Sequence, residues 1–83
     1  RSAIKGSGLI AVYSIEDNAQ ALYMLNGTGN SVSEVSDPAG IFSPTAGTAT
    51  SLNIYYSSAN GRYELENLRG STRTIIVNSV FGR

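Results

Sequence analysis

The chain has 83 residues, in which six basic side chains balance six acidic ones, and it contains no histidine and no cysteine. Disulfides are therefore excluded, and a chain with only 14% charged residues lacks the clustered Lys and Arg that bind nucleic acid or anionic lipid. No apolar run approaches the roughly 18 residues that span a membrane.

We expect no enzyme, because a serine nucleophile needs a base, usually histidine, and a pair of catalytic carboxylates needs a cleft for which this length leaves little room. The sequence also predicts no cofactor, no metal site, no nucleic-acid partner and no insertion into a membrane. A domain of this size buries only about 60% of the surface that its unfolded chain exposes. Because disulfides and most metal ligands are absent, association with a partner subunit is the remaining common means of stabilisation.

The N-terminal segment contains Gly6, Ser7 and Gly8 and shows no apolar periodicity. This composition is typical of a flexible connection between folded units. We therefore predict a linker over residues 1–8, entering from an upstream region, and a single β domain over residues 9–83.

The first predicted strand is Leu9–Ile15, which is apolar on both faces. Residues 16–25 fit two patterns. Alternating side chains across Ala21–Leu25 favour a strand, whereas Ser14 followed by Asp17 resembles the capping box that begins a helix. We favour the strand and keep a short helix over residues 16–25 as the alternative.

Residues 26–30 predict a tight turn, and the polar segment Ser31–Ser36 follows it. Val32 and Val35 are the apolar residues of this segment, and a period of two does not place them on one face. The spacing predicts a short edge strand that contains a β-bulge.

Residues 37–50 are rich in Gly, Pro, Thr and Ala, which predicts a long loop. Ile41 and Phe42 interrupt it between two prolines. An apolar pair in such a loop typically anchors it over the core.

The last third of the chain contains three strand-like segments, 52–56, 63–68 and 74–81, separated by turn residues. Asn60-Gly61 lies in the first gap and Arg69-Gly70-Ser71 in the second. These residue types tolerate positive φ and allow a chain to reverse. The pattern predicts an antiparallel β-meander.

The middle strand of this predicted meander alternates cleanly. Tyr63 and Leu65 share one face, and Glu64 and Glu66 share the other. Such alternation predicts a strand with its glutamate face in water.

The final strand is apolar on both faces, because Ile75, Val77 and Phe81 alternate with Ile76 and Val80. In a small sandwich only one face of a sheet meets the core, so the second apolar face needs another cover. We predict a neighbouring subunit as that cover, and the candidate interface residues are Ile75, Val77, Val80 and Phe81. The alternative is a central strand wrapped by the long loop.

Two tyrosines and two glutamates form a candidate ligand or receptor contact. Tyr55 and Tyr56 are adjacent on a strand and project to opposite faces, so we expect one of them to reach the surface. An exposed tyrosine can stack on a sugar ring or anchor a protein contact. Glu64 and Glu66 share a strand face and can bind a sugar hydroxyl. Packing of the tyrosines and a solvated carboxylate face are the alternatives.

The expected fold is all-β: a small antiparallel β-sandwich or jelly-roll-like domain with about six to seven short strands. The helix over residues 16–25 is the one variable element, and it does not change this class.

Three stretches, Asp37–Ser43, Gly47–Tyr56 and Arg62–Thr74, carry a likeness to a known family. They contain a tyrosine-bearing strand, a short turn, a Tyr-x-Leu-x-Asn strand and a Gly turn, and a last β-branched strand follows them. This arrangement resembles the small C-terminal β domains of bacteriophage tail fibres and tailspikes.

The resemblance implies a homotrimeric component of the virion tail, at the distal end of a fibre and therefore extracellular. Such domains hold three chains in register or contact the host envelope, so the implied partners are further copies of the chain and surface polysaccharide of the host cell. The alternative function is a monomeric carbohydrate-binding module appended to a larger enzyme.

Overall fold

The computed structural model describes the backbone of residues 2–4, 8–26 and 30–82, and the side chains of residues 8–26 and 30–80. Within these ranges the protein is all-β, without a helix, which confirms the predicted class. The strands are β1 Ser2–Ile4, β2 Gly8–Ser14, β3 Ala19–Asn26, β4 Ser31–Ser36, β5 Phe42–Ser43, β6 Leu52–Ser57, β7 Arg62–Asn67 and β8 Ile75–Gly82.

The strands form two sheets of four. The first sheet has the order β1-β7-β6-β5 and the second the order β4-β3-β2-β8. All neighbouring strands are antiparallel except β5 and β6, which pair in parallel. One layer of buried side chains lies between the sheets, and its members are Ile10, Val12, Ala19, Ala21, Tyr23, Leu25, Phe42, Leu52, Ile54, Tyr63 and Leu65.

Residues 19–26 form a strand, so the helix considered for residues 16–25 is wrong. Buried and more exposed side chains alternate strictly along β3, because every second residue faces the core. The pattern that resembled a helix cap has another use. Ser14 Oγ donates a hydrogen bond to Asp17 Oδ2 over 2.7 Å within the turn that joins β2 to β3.

The polar segment β4 is an edge strand with a bulge, as predicted. Leu22 pairs with Ser36 and Tyr23 pairs with Glu34, so Val35 is the extra residue. Its side chain is 58% exposed. The turn predicted before β4 includes residues 27–29, which lie outside the described part of the chain.

The apolar pair in the long loop anchors it, also as predicted. Phe42 is buried and Ile41 packs against the same core. Two backbone amides, those of Gly40 and Phe42, donate to the Asp37 carboxylate over 3.1 Å each. This arrangement fixes the loop where it meets β6.

The predicted β-meander is correct for its first two strands and wrong for the third. β6 and β7 form the expected hairpin, closed at Ser57 and Arg62. β8 leaves the first sheet, crosses to the second and pairs with β2. The alternation pattern predicts where a strand lies in sequence but does not specify its sheet.

A clamp of charged side chains holds the crossover between β7 and β8. Arg73 Nε lies 2.8 Å from one oxygen of Asp17, and Arg69 Nη2 lies 3.2 Å from the other. Next to this clamp, Glu16 accepts hydrogen bonds from the backbone and hydroxyl of Thr74. The turn between β2 and β3 is thereby tied to the crossover, so β8 starts beside β2.

The predicted linker over residues 1–8 needs correction at both ends. Ser2–Ile4 forms β1 and pairs with β7 at the edge of the first sheet, and Gly8 is the first residue of β2. Residues 5–7 lie outside the described ranges. The sequence did not predict this pairing, because β1 is only three residues long and too short to show apolar periodicity.

Replacing a fully buried aliphatic side chain should destabilise the sandwich strongly. Ile54 on β6 has no exposed surface, so we expect Ile54→Ala to lower the free energy of unfolding by about 2–5 kcal/mol, because it removes buried contacts and leaves a cavity. Val35→Ala at the exposed bulge should change it by less than about 0.5 kcal/mol. Urea denaturation monitored by tyrosine fluorescence measures both, and equal effects would contradict this core.

The Asp17 clamp should make stability depend on pH. The hydrogen bond from Arg73, with a second from Ser14, lowers the pKa of Asp17 from 3.8 to about 2. A carboxylate with a lowered folded-state pKa stabilises the fold above its ordinary pKa, and that stabilisation is lost as pH falls through about 2. We therefore expect Asp17→Asn to lower the thermal unfolding midpoint at pH 6 and to matter progressively less towards pH 2. A deficit independent of pH would contradict this.

Candidate functional site

Strand β8 lies at the edge of the second sheet, where β2 is its strand neighbour. An edge strand presents backbone donors and acceptors to its surroundings, and apolar edge strands readily pair or pack with another chain. Its position therefore makes β8 a candidate surface for assembly.

The apolar side chains of β8 are largely exposed, as the interface prediction requires of a single copy. Val77 is 41% exposed, Val80 57% and Ile76 42%. Ile75 differs, because it is half-buried and packs against the core. The alternative of a central strand wrapped by the long loop is wrong, since β8 is an edge strand with exposed side chains. The interface role itself remains a prediction.

A bulge changes the predicted faces of β8. Ile10 pairs with Ser79 and Leu9 pairs with Phe81, so Val80 is the extra residue and the alternation shifts by one. The backbone of Phe81 is therefore in register with Leu9, and the prediction that Phe81 continues the row of Ile75 and Val77 is wrong. The side chain of Phe81 lies outside the described set. Alternation alone could not reveal the shift, because a bulge inserts a residue without altering composition.

A larger apolar surface lies on the side of the second sheet that faces away from the core. We call it the outer face, and its apolar members are Leu9, Ala11, Tyr13, Leu22, Met24 and Ile76. The interface prediction missed all of them. A signal was present in the sequence, because Leu9–Ile15 is apolar on both faces and cannot bury both in one core.

The first sheet carries the predicted ligand residues, and it brings three of the four together. The register of β6 and β7 sets Tyr55 opposite Glu64, and it sets Asn53 opposite Glu66 on the same side. Tyr55 OH donates to Glu64 Oε1 over 3.2 Å. Tyr56 belongs to the opposite side and packs edge-on against Tyr63, with ring centroids 5.2 Å apart.

The prediction that Glu64 faces water is wrong. Its side chain is fully buried, although it lies on the side of the sheet away from the core. Asn60 Nδ2 donates to the carboxylate over 2.7 Å and Arg62 Nε over 2.9 Å. The hydrogen bond from Arg62, followed by that from Asn60, holds the pKa of Glu64 below its ordinary value. Glu64 therefore serves the fold, and the premise for ligand contact at this residue is lost.

Glu66 closes the long loop over the first sheet. Its Oε1 accepts hydrogen bonds from Gly47 N over 2.9 Å and from Asn53 Nδ2 over 3.1 Å. Asn53 also donates to Thr48 O over 3.1 Å. Glu66 is half-buried, as are Tyr55 and Tyr56, and a ligand role for these three residues remains a prediction.

Among the described residues, no group of three or more histidine, cysteine, aspartate or glutamate side chains is arranged to hold a metal ion. No helix long and apolar enough to cross a membrane occurs in the same part of the chain. Comparisons with protein-family models, with curated proteins and with solved structures found no match to this chain.

The Glu64 network gives a charge-dependent prediction. We expect Glu64→Gln to destabilise the protein at pH 7, because a neutral amide replaces a carboxylate that accepts from Arg62 and Asn60. The folded-state pKa is lowered from 4.5, so ionised Glu64 stabilises the fold above that value and this contribution is lost in acid. The stability difference between wild type and variant, measured by urea denaturation, should therefore shrink by pH 3. A stability difference at pH 3 as large as that at pH 7 would show that the charge of Glu64 is not its cause.

Proposed function

We propose that this domain is a non-catalytic assembly module that joins three copies of the chain, as the C-terminal part of a phage tail fibre or tailspike. The single observation that carries the assembly is the exposed apolar edge strand β8. The resemblance over Asp37–Ser43, Gly47–Tyr56 and Arg62–Thr74 supplies the fibre context, the threefold number and the extracellular location. Contact with host surface polysaccharide follows from the same likeness.

The energetic basis is the burial of side chains that one copy leaves exposed. Ile76, Val77 and Val80 each retain about half of their surface in solvent. Full burial of an aliphatic side chain contributes about 1.5–3 kcal/mol, so covering the exposed part contributes roughly half of that for each residue. Summed over three residues, this is a sizeable fraction of the about 5–15 kcal/mol that stabilises a typical domain. Association therefore suits a chain of this size.

The alternative, a monomeric carbohydrate-binding module, would use Tyr55 or Tyr56 as a stacking platform. Tyr56 packs its ring against Tyr63, and Tyr55 donates its hydroxyl to Glu64. Both tyrosines already contribute to the contacts of the fold. The exposed valines of β8 have no comparable internal role, so assembly is the function that we propose.

The test is the solution mass of the chain and of two matched variants. We expect sedimentation equilibrium at micromolar concentration to give three times the mass of one chain for the wild type. Val80→Lys should give a single copy, because a lysine ammonium cannot be buried unpaired in an apolar contact.

Leu68→Lys is the control, since Leu68 is also an exposed apolar residue but lies in the crossover, outside the strands of the second sheet. It should associate like the wild type. A wild type that stays single at every concentration would overturn the proposal, and glycan binding by that single copy would favour the carbohydrate-binding alternative.

A further inference from the structure

The outer face of the second sheet carries no charged residue at its strand positions and is mainly apolar along its two central strands, β2 and β3. The register of the four strands sets Leu9, Ala11, Tyr13, Leu22, Met24 and Ile76 on it, and the other outward positions among the residues with described side chains, the two bulge residues aside, are Gln, Ser and Asn. None of these positions carries Asp, Glu, Lys or Arg. A sheet face exposed to water normally carries polar and charged side chains, so this composition indicates a covered face.

The absence of charge favours a cover that is itself uncharged where it meets this face. Depletion of charged residues distinguishes the buried centre of a protein interface from the rest of a surface. The chain has no net charge, so two copies approach each other without electrostatic repulsion. A charged partner would leave its own charges desolvated and unpaired against this face.

The shape of the outer face also suits contact with a second copy. A hollow of about 170 Å³ lies beside the small side chain of Ala11, between Gln20, Leu22, Ser36 and Pro38. The hollow is open to solvent, and its volume leaves room for a side chain of another molecule. Met24 and Ile76 project from the same face and are 39% and 42% exposed. One face thus offers both a recess and projecting side chains of the size that a recess can receive.

The area of the face sets how much of it a contact between copies has to use. Strands with about 3.3 Å per residue and about 4.8 Å between neighbours give the four-stranded face a flat footprint of roughly 450 Å². Three copies that turn this face to a common axis cover roughly 1,350 Å² before side-chain relief is added, or roughly 450 Å² for each of the three contacts, against about 1,200–2,000 Å² for a specific interface. Contact therefore has to use the whole face and the adjoining edge strand β8, which another copy of the same shape can do.

We infer that the outer face of the second sheet is the contact surface between copies of this chain, with Met24 and Leu22 near its centre and β8 at its margin. The inference rests on the proposed assembly function and extends it. It moves the main contact from the edge of one strand to the face of the whole sheet.

The experiment uses the absence of cysteine from the chain. Two single-cysteine variants, Met24→Cys and Leu68→Cys, are labelled with a maleimide reagent at a concentration at which the wild type is associated. Met24 and Leu68 are 39% and 38% exposed in one copy, so they have matched accessibility before association. Leu68 follows β7 of the first sheet, and its backbone N donates to Ser51 O, next to β6 of that sheet.

We expect Met24→Cys to react about tenfold more slowly than Leu68→Cys in the associated sample, because only the dissociated fraction exposes it. The two rates should converge at dilutions that separate the copies. Equal rates in an associated sample would overturn the inference while leaving the assembly function intact. A wild type without association would instead overturn the assembly function, and this inference with it.

Charge substitutions give a second readout of the same surface. Met24→Lys should yield single copies by sedimentation, and Leu68→Lys should associate like the wild type. Circular dichroism confirms that each variant is folded. A folded Met24→Lys variant with the mass of the wild-type assembly would also overturn the inference.

Discussion

The structure depends on one constraint, which is that two four-stranded sheets enclose a single layer of buried side chains. That layer takes the inward residues of both sheets, including Val12, Tyr23, Leu52 and Ile54. The described residues form two layers and no third layer that would cover the other side of either sheet. On the first sheet, the side away from the core carries polar residues, and the long loop is hydrogen-bonded to it. The second sheet leaves an apolar face and an apolar edge strand exposed, and this difference is the basis of the proposed assembly.

Electrostatic contacts tie the crossover that leads to the last strand to the second sheet. Asp17 lies in the turn between β2 and β3 and binds both Arg69 and Arg73, which lie near the two ends of the crossover. Arg69 also donates to Thr50 O, so the crossover is tied to the loop before β6 as well. A carboxylate shared by two guanidinium groups has strong directional hydrogen bonds, which fix the path of the backbone. The clamp thus holds the start of β8 beside β2, at the edge of the second sheet.

Local patterns in the sequence predicted much of the fold. Alternation identified β3 as the favoured strand, and the spacing of Val32 and Val35 predicted the bulged edge strand β4. The pair Ile41 and Phe42 predicted the anchored loop. Each of these features depends on residues within one segment, and period-two burial is a local property.

Features that depend on distant residues could not be predicted in this way. The path of the chain into β8 is held by ion pairs between residues 52 and 56 positions apart in sequence, and β8 pairs with β2, a strand more than 60 positions away. The burial of Glu64 depends on donors from Asn60 and Arg62, which an alternating pattern does not reveal. β1 is too short for any period to be visible. For the candidate surface, the sequence predicted the exposed strand β8 but not the rest of the outer face. The alternation within one strand does not show which side chains its neighbours place on the same face.

The central claim is that the outer face of the second sheet contacts another copy, and the single methionine of the chain gives a unique probe of it. The most direct measurement is an isotope-filtered NOE experiment on a mixture of copies with labelled Met24 methyl groups and unlabelled copies. We predict intermolecular NOEs from the Met24 methyl group to aliphatic protons of the unlabelled copies. Their absence in a sample shown by its mass to be associated would contradict the claim.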